Sequence, residues 1–222
     1  MTDDLYIQVM IQPQILRDQV KEHLLKQIGK GELQIGKTIN LAALSRKIGI
    51  SVTPIREALS QLEHARIIKA IPNRGFIVQK LGATEAEHLY DTIAQLEVMA
   101  LENSRFSPSS IADLNNILQK SSVTQNLDER IQLRFRFHEI LVQSCNNPIL
   151  VQIVTDLKTR LLFYEQALQQ DVSFYEQIDA QHKAVIEAIE EDNVPTAALI
   201  LKMHWVNALK HIQNQLDTTQ NI

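Results

Sequence analysis

The stretch LRFRFHEIL at residues 133–141 places a histidine and an arginine where a helix would bury them. Ile131, Phe135, His138 and Val142 follow one another at intervals of four, three and four, which is the spacing of one helical face. Arg134 lies one turn before His138 and borders the same face. A neutral imidazole can ligate a divalent metal and a guanidinium can bind an anion, so the two residues are candidates for a ligand site.

Two more histidines, His182 and His204, fall on apolar faces of other segments. Their apolar neighbours at helical spacing are Ile178, Val185 and Ile189 for the first, and Leu201, Trp205, Ala208 and Ile212 for the second. A lone inward histidine is usually a core residue satisfied by a hydrogen bond. Three unpaired imidazoles would each cost about 1 to 3 kcal/mol, whereas one divalent ion would satisfy them all if they converge. The remaining four, His23, His64, His88 and His211, are assigned no site.

The elements that carry these histidines are predicted to be helices. Six helical segments without a strand pattern fall near 84–104, 108–121, 127–145, 147–169, 173–191 and 194–216. The breaks between them contain Pro or Asn, at Ser107-Pro108, Asn146-Asn147-Pro148, Gln170-Asp171 and Asp192-Asn193. Short loops between long helices favour a six-helix antiparallel bundle.

The first eighty residues have a different pattern. A first helix is predicted from Leu16 to Ile28, ending at Gly29 and Gly31. The stretch NLAALSRKIGISVTPIREALSQLEHARIIKAIPNRGFIVQK begins at residue 40. Asn40 can cap a short helix, Gly49 supplies a turn, and Thr53-Pro54 reads as a cap and first residue of a second helix that runs to about His64. IIKAI and FIVQK then flank Pro72-Asn73-Arg74-Gly75 as a hairpin, so a winged helix-turn-helix is predicted.

The second helix of this motif has two faces. Its apolar stripe is Ile55, Ala58, Leu59 and Leu62, and Thr53, Arg56, Glu57 and Ser60 project from the opposite side. A helix with such a polar face fits a DNA major groove and can bond phosphates and base edges. The alternative is a helical domain whose exposed face is only solvated.

Composition and charge indicate two domains, at residues 1–80 and 81–222, in a mainly α protein. Residues 1–80 contain 12 Lys and Arg against 7 Asp and Glu, and residues 81–222 contain 10 against 19, so the first part is the candidate for meeting a polyanion. The single cysteine, Cys145, excludes an intrachain disulfide. No apolar run is long enough to cross a membrane and the acidic N-terminus is not a signal peptide, so we expect a cytoplasmic protein.

The segments LAALSRKIGISVTPIREALSQLE and PNRGFIV resemble the DNA-binding domain of GntR-family transcription regulators over residues 16–80. By that resemblance the DNA contacts are Arg46, Thr53, Arg56, Arg74 and Gly75. The family usually has arginine where this chain has Val52, which should weaken binding or change the preferred bases.

The segments FRFHEILVQSCNNPIL, DAQHKAVIEAIEEDN and LKMHWVNAL resemble the ligand domain of the FadR branch of that family, known as the FCD domain. The resemblance implies that His138, His182 and His204 hold a divalent transition metal, with zinc and nickel the first candidates. The segment has six predicted helices rather than seven, and in this it resembles the shorter, VanR-like subgroup of the branch. The family's aspartate ligand corresponds to Arg134, and its effector-binding arginine corresponds to Ile93.

Arg134 leaves two outcomes open for an anionic effector. Either the arginine and the three-histidine metal grip a carboxylate together, or the metal has been lost and Arg134 binds the anion alone. A third possibility is that Arg134 turns outward to pair with Glu129 or Asp128.

The function that the resemblance implies is a ligand-responsive transcription regulator, by default a repressor. We expect a homodimer that binds an inverted-repeat operator in double-stranded DNA and senses a small carboxylate. The alternatives are a metal-dependent hydrolytic enzyme and a DNA-binding protein without an effector.

Overall fold

A computed structural model describes residues 13–220, except residues 31, 73, 81 and 168–171. The chain divides into two compact units, Met1–Lys80 and Leu81–Ile222. Both are mainly helical, as predicted, and the first also contains a small sheet. None of the helices among the described residues combines the length and the apolar character needed to cross a bilayer.

The described residues of the first unit form three helices and three strands. The helices are α1 (Pro13–Gly29), α2 (Leu41–Ile48) and α3 (Val52–His64), and the strands are β1 (Thr38–Ile39), β2 (Ile68–Ile71) and β3 (Gly75–Val78). The strands form an antiparallel sheet in the order β1-β3-β2. The hairpin of β2 and β3 was predicted, although Asn73 in its turn lies outside the described residues. Strand β1 was not predicted, because two residues are too few to show an alternating pattern.

The helix-turn-helix forms for the predicted local reasons, with one correction. The side chain of Asn40 accepts a hydrogen bond from the backbone N–H of Ala43 at 3.0 Å, and Gly49 ends α2 with φ +70°. The prediction that Thr53 caps α3 is wrong, since the cap is Ser51 and the helix begins at Val52. Pro54 is still tolerated, because the N–H groups of the first turn have no partner within a helix.

The core of the first unit lies between α3 and α1. The predicted stripe of α3, namely Ile55, Ala58, Leu59 and Leu62, is completely buried. Helix α1 packs against it with Val20 and Leu24. The opposite face of α3 is therefore left on the surface of this unit.

The part of the second unit that the structure describes is a bundle of six helices, as predicted. They are α4 (Ala83–Glu102), α5 (Pro108–Val123), α6 (Leu127–Gln143), α7 (Pro148–Ala167), α8 (Val172–Glu190) and α9 (Val194–Gln220). Three of the predicted breaks fall between helices, and the fourth, Gln170-Asp171, lies outside the described residues. Helices α4 and α9 pack along each other, α9 also packs on α8, and α6 packs on α4. The interior faces of α4, α6, α8 and α9 therefore surround a common space.

Candidate metal centre and nucleic-acid interface

The three inward histidines meet inside the second unit. His138 on α6, His182 on α8 and His204 on α9 are all at least 95% buried. Their candidate ligand atoms lie within 4.8 Å of one another, and the Nε2 atoms of His138 and His204 are 3.1 Å apart. The stripes seen in the sequence are the reason, because each histidine occupies a core position on its helix and the helices face one another.

Two of the rings are oriented by partners at the other nitrogen. His138 Nδ1 lies 2.7 Å from Glu97 Oε2, and His204 Nδ1 lies 3.2 Å from Gln181 Oε1. When Glu97 is ionised, both Nδ1 atoms must donate, which leaves a lone pair on each Nε2. Two lone pairs 3.1 Å apart do not form a hydrogen bond, so with Glu97 ionised the pair of nitrogens is suited to a cation between them. With Glu97 protonated, His138 Nε2 can instead donate a hydrogen bond to His204 Nε2.

The electrostatics of the rings favour the protonation state that a metal requires. Burial holds the pKa of His138, His182 and His204 well below the usual range. The charge of Arg134 lowers all three pKa values further, and Glu165 opposes the shift at His138. All three imidazoles are therefore neutral near pH 7. Burial raises the pKa of Glu97 to about 8, although the hydrogen bond from Trp205 opposes the shift.

The donor set fits a divalent transition ion. Zinc–nitrogen bonds of about 2.0–2.1 Å at tetrahedral angles require nitrogens about 3.3 Å apart, which is close to the separation of His138 and His204. The Nε2 atom of His182 is buried and has no hydrogen-bond partner among the described residues. Three protein ligands would leave a coordination position open.

Glu97 belongs to this site and was missed in the sequence. Its Oε2 atom accepts a hydrogen bond from Trp205 Nε1 at 2.8 Å in addition to its contact with His138. A carboxylate bound to the second nitrogen of a ligand histidine fixes the ring and increases its basicity. The signal was available, because Glu97 follows the buried residues Tyr90 and Ile93 at helical spacing.

Arg134 lies inside the bundle rather than at its surface. It is 4% exposed, and its Nη1 atom is 2.7 Å from Oε2 of Glu165, which is 1% exposed. The possibility that it turns outward to Glu129 or Asp128 is therefore wrong. Tyr90 donates a hydrogen bond of 2.6 Å to the other oxygen of Glu165. Burial lowers the pKa of Arg134, but the Glu165 carboxylate outweighs that effect and the net shift is upward.

A cavity of about 40 Å³ adjoins the histidine cluster. Of the three histidines only His138 lines it, together with Glu97. The atoms that face the cavity are almost all apolar. Lys158 is among its lining residues, and Arg134 is not.

The predicted DNA-contacting residues lie on the surface of the first unit. Arg46 on α2, Thr53 and Arg56 on α3 and Arg74 before β3 are exposed. Gly75 has φ +93°, and a Cβ there would lie 2.8 Å from the carbonyl oxygen of Ile39. Arg74 lies in the hairpin turn and Gly75 is the first residue of β3, so the wing carries a cation next to a position that requires glycine.

Two family models match the chain. The model described as "Bacterial regulatory proteins, gntR family" matches residues 16–78, and the FCD domain model matches residues 88–207. The second model alone covers more than half of the chain. Both matches agree with the resemblance read from the motifs.

Individual relatives agree with the family models. The transcriptional regulator McbR of Escherichia coli K12 is 27% identical over 148 residues, which cover 64% of this chain and 67% of McbR. The transcriptional repressor GlaR of the same organism is 24% identical over 206 residues, which cover 87% of this chain and 94% of GlaR. The solved structure of E. coli McbR/YncC has the same fold, with a TM-score of 0.73 and 23% identity over 90% of this chain and 98% of that one. These families and relatives are transcription regulators rather than enzymes.

Proposed function

This chain belongs to the GntR family of bacterial transcription regulators and carries an FCD domain, and from that premise we propose that it is a metal-containing repressor controlled by a small carboxylate. The observation that carries the proposal is the meeting of three buried, neutral imidazoles beside a cavity. A buried cluster of this kind has no use in a domain that only binds DNA. Burying three imidazoles without a shared partner would cost about 1 to 3 kcal/mol for each nitrogen left without a hydrogen bond.

The metal ligands in this proposal are His138, His182 and His204, with zinc and nickel the first candidates because both accept imidazole nitrogen. Glu97 orients His138, and Gln181 orients His204. A divalent ion bound there would supply positive charge close to the cavity. That charge favours an acid over a neutral molecule of the same shape.

Arg134 has a structural role in this proposal instead of the effector contact inferred from the sequence. Its charge is already neutralised by Glu165, and the ion pair lies beside the rings of Phe174 and Trp205 at 5.6 and 5.5 Å. An effector carboxylate would have to displace a carboxylate of the chain itself. The joint grip of Arg134 and metal on one anion is therefore not part of the proposal.

DNA is bound by the first unit through Arg46, Thr53, Arg56, Arg74 and Gly75. Helix α3 would lie in the major groove with its exposed face toward the bases, and the wing would contact the phosphate backbone. Two copies of the chain would bind the two halves of an inverted repeat. The excess of basic residues in the first eighty positions supports this division of roles.

Effector binding would release the DNA. An acid can change DNA affinity only if it binds one arrangement of the dimer more tightly than the other. Repression is supported by the name of GlaR, a repressor that aligns with most of this chain.

The DNA assignment is tested by Arg56→Ala. A guanidinium that contacts a guanine is worth about 1 to 3 kcal/mol, so we expect the affinity for the region upstream of the protein's own gene to fall roughly ten- to hundredfold. The control is Arg105→Ala, which removes an equal charge from an exposed position of the second unit. The affinities are measured by electrophoretic retardation of that DNA fragment. If the Arg56→Ala variant binds the fragment as tightly as the wild type, α3 does not read DNA.

The metal assignment is tested by elemental analysis of protein that has met neither a chelator nor a metal-affinity column. We expect close to one transition ion per chain, lost in His182→Ala and in His138→Gln but kept in His64→Ala, which changes an exposed histidine of the first unit. Circular dichroism establishes that each variant is folded. Wild-type protein without a transition ion would contradict the metal centre.

A further inference from the structure

The wall of the cavity beside His138 indicates what the effector cannot be. Its apolar side chains are Ile93, Phe135, Val142, Val151, Val154, Leu161 and Trp205. Polar residues such as Gln143 and Thr155 also line the cavity, but few of their polar atoms face it. A ligand hydroxyl buried there would therefore lose most of its bonds to water. An apolar site discriminates against such a hydroxyl by up to about a hundredfold in binding.

The volume limits the length of the apolar part. A water-sized group needs roughly 10 to 15 Å³ of such space, so about 40 Å³ holds about three groups. A chain of three carbon atoms fills it. A longer or branched body would extend beyond this space.

Lys158 is the cation that an acid in this cavity can reach. Its Nζ atom is 3.4 Å from Oε2 of Glu139, and both side chains are about one-third exposed. Glu139 is also bound by Arg136 at 2.9 Å, so Lys158 can turn to an acid without leaving that carboxylate unpaired. The Lys158 ammonium also lies 6.0 Å from the ring of Phe135, a residue that lines the cavity.

We propose that the effector is a short, apolar-bodied monocarboxylic acid whose carboxylate binds Lys158 and whose tail fills the cavity between Ile93, Phe135 and Trp205. This inference rests on the proposed function, because it specifies the acid that the same domain would sense. A sugar acid of equal length is disfavoured, because few polar atoms face the cavity to bind its hydroxyls. A neutral amide of the same shape lacks the charge that Lys158 recognises.

Calorimetric titration of the metal-loaded, full-length protein with three probes tests the inference. The probes are butanoate, 2,3,4-trihydroxybutanoate and butanamide. We expect butanoate to bind at least tenfold more tightly than either of the others. Hydrogen bonds to charged groups contribute about 1.5 to 3 kcal/mol, so Lys158→Met should weaken butanoate roughly ten- to hundredfold and leave butanamide unchanged.

The matched control is Lys202→Met, which removes an exposed lysine of α9 that does not line the cavity and should bind butanoate like the wild type. Tighter binding of the trihydroxy acid, or an unchanged butanoate affinity in Lys158→Met, overturns the inference. The probe series on the wild type decides the ligand class even if Lys158→Met does not fold.

Operator-binding assays in the presence of the same probes separate this inference from the proposed function. If the hydroxylated acid binds and releases the protein from its operator, the sensor stands and only the ligand class is wrong. If metal-loaded protein holds its operator equally well in saturating amounts of each acid, the effector role of the cavity is wrong and the inference is overturned with it.

Discussion

Arg134 and Glu165 form an ion pair that the interior of the helical unit encloses almost completely. Glu165 receives the guanidinium on one oxygen and the hydroxyl of Tyr90 on the other. Burying two charges is costly, and the pair is stable only because each partner compensates the other. Glu165 thus offsets the charge of Arg134 in part, although the guanidinium still lowers the pKa of all three histidines.

Removing the arginine alone should destabilise the protein severely. Arg134→Met takes away the cation that the structure pairs with Glu165, and breaking a buried pair typically costs about 3 to 5 kcal/mol. The double variant Arg134→Met with Glu165→Met should regain most of that loss, since neither charge then remains. Urea unfolding followed by the fluorescence of Trp205, the one tryptophan of the chain, measures both. Equal stability of the single and double variants would contradict the coupling.

The wing of the first unit depends on a backbone conformation that its sequence supplies at Gly75. At φ +93° a side chain is strained, and a Cβ would also press against the carbonyl oxygen of Ile39 at 2.8 Å. The same register pairs Ile39 with Phe76, so the contact lies where β1 meets β3. The glycine is therefore needed for the pairing of β1 with β3, in addition to any contact that it makes with DNA.

Gly75→Ala should accordingly damage the sheet more than a comparable change elsewhere. The control is Gly36→Ala. Gly36 has φ +78°, but a Cβ there would have nothing within 4 Å, so this substitution introduces only the backbone strain of about 1 to 2 kcal/mol. We expect Gly75→Ala to lower the melting temperature further and to weaken operator binding. If the two variants melt at the same temperature, the contact with Ile39 carries no energy.

The stability of the whole metal-free protein should depend on pH through the buried cluster. The pKa values of the three histidines are lower in the folded than in the unfolded chain, so unfolding takes up protons as the pH falls below about 6.5. Each contributes a loss of up to about 1.4 kcal/mol per pH unit. Glu97 acts in the opposite direction, since its pKa is raised to about 8 and folding retains its proton below that value.

Three histidines act against one Glu97, so we expect the free energy of unfolding to fall as the pH is lowered from about 6.5 to 5. Urea midpoints of chelator-treated protein at pH 7.0, 6.0 and 5.0 measure it. In His182→Phe, which replaces the ring stacked on Phe137 at 3.8 Å by another flat ring, the pH dependence should be shallower. An identical dependence in this variant and the wild type would mean that His182 does not titrate on unfolding.

Local rules were enough for most of the elements and for the positions of the histidines. The apolar period of each segment already put His138, His182 and His204 on interior faces, and the Asn40 cap and Gly49 turn act between residues close in the chain. Helix periodicity and capping depend on neighbours within about one turn, so the sequence by itself determines them. The same locality explains the error at Thr53, because a helix start can move by two residues at little cost.

Only the tertiary structure decided which partners the buried polar groups have. Glu97 joins His138 across 41 positions of sequence, and Glu165 joins Arg134 across 31, and no local pattern records either pairing. The two-residue strand β1 likewise forms only because its backbone pairs with β3. Helix packing brings such distant residues together, so whether Arg134 turned outward, toward a ligand or toward Glu165 depended on the whole bundle.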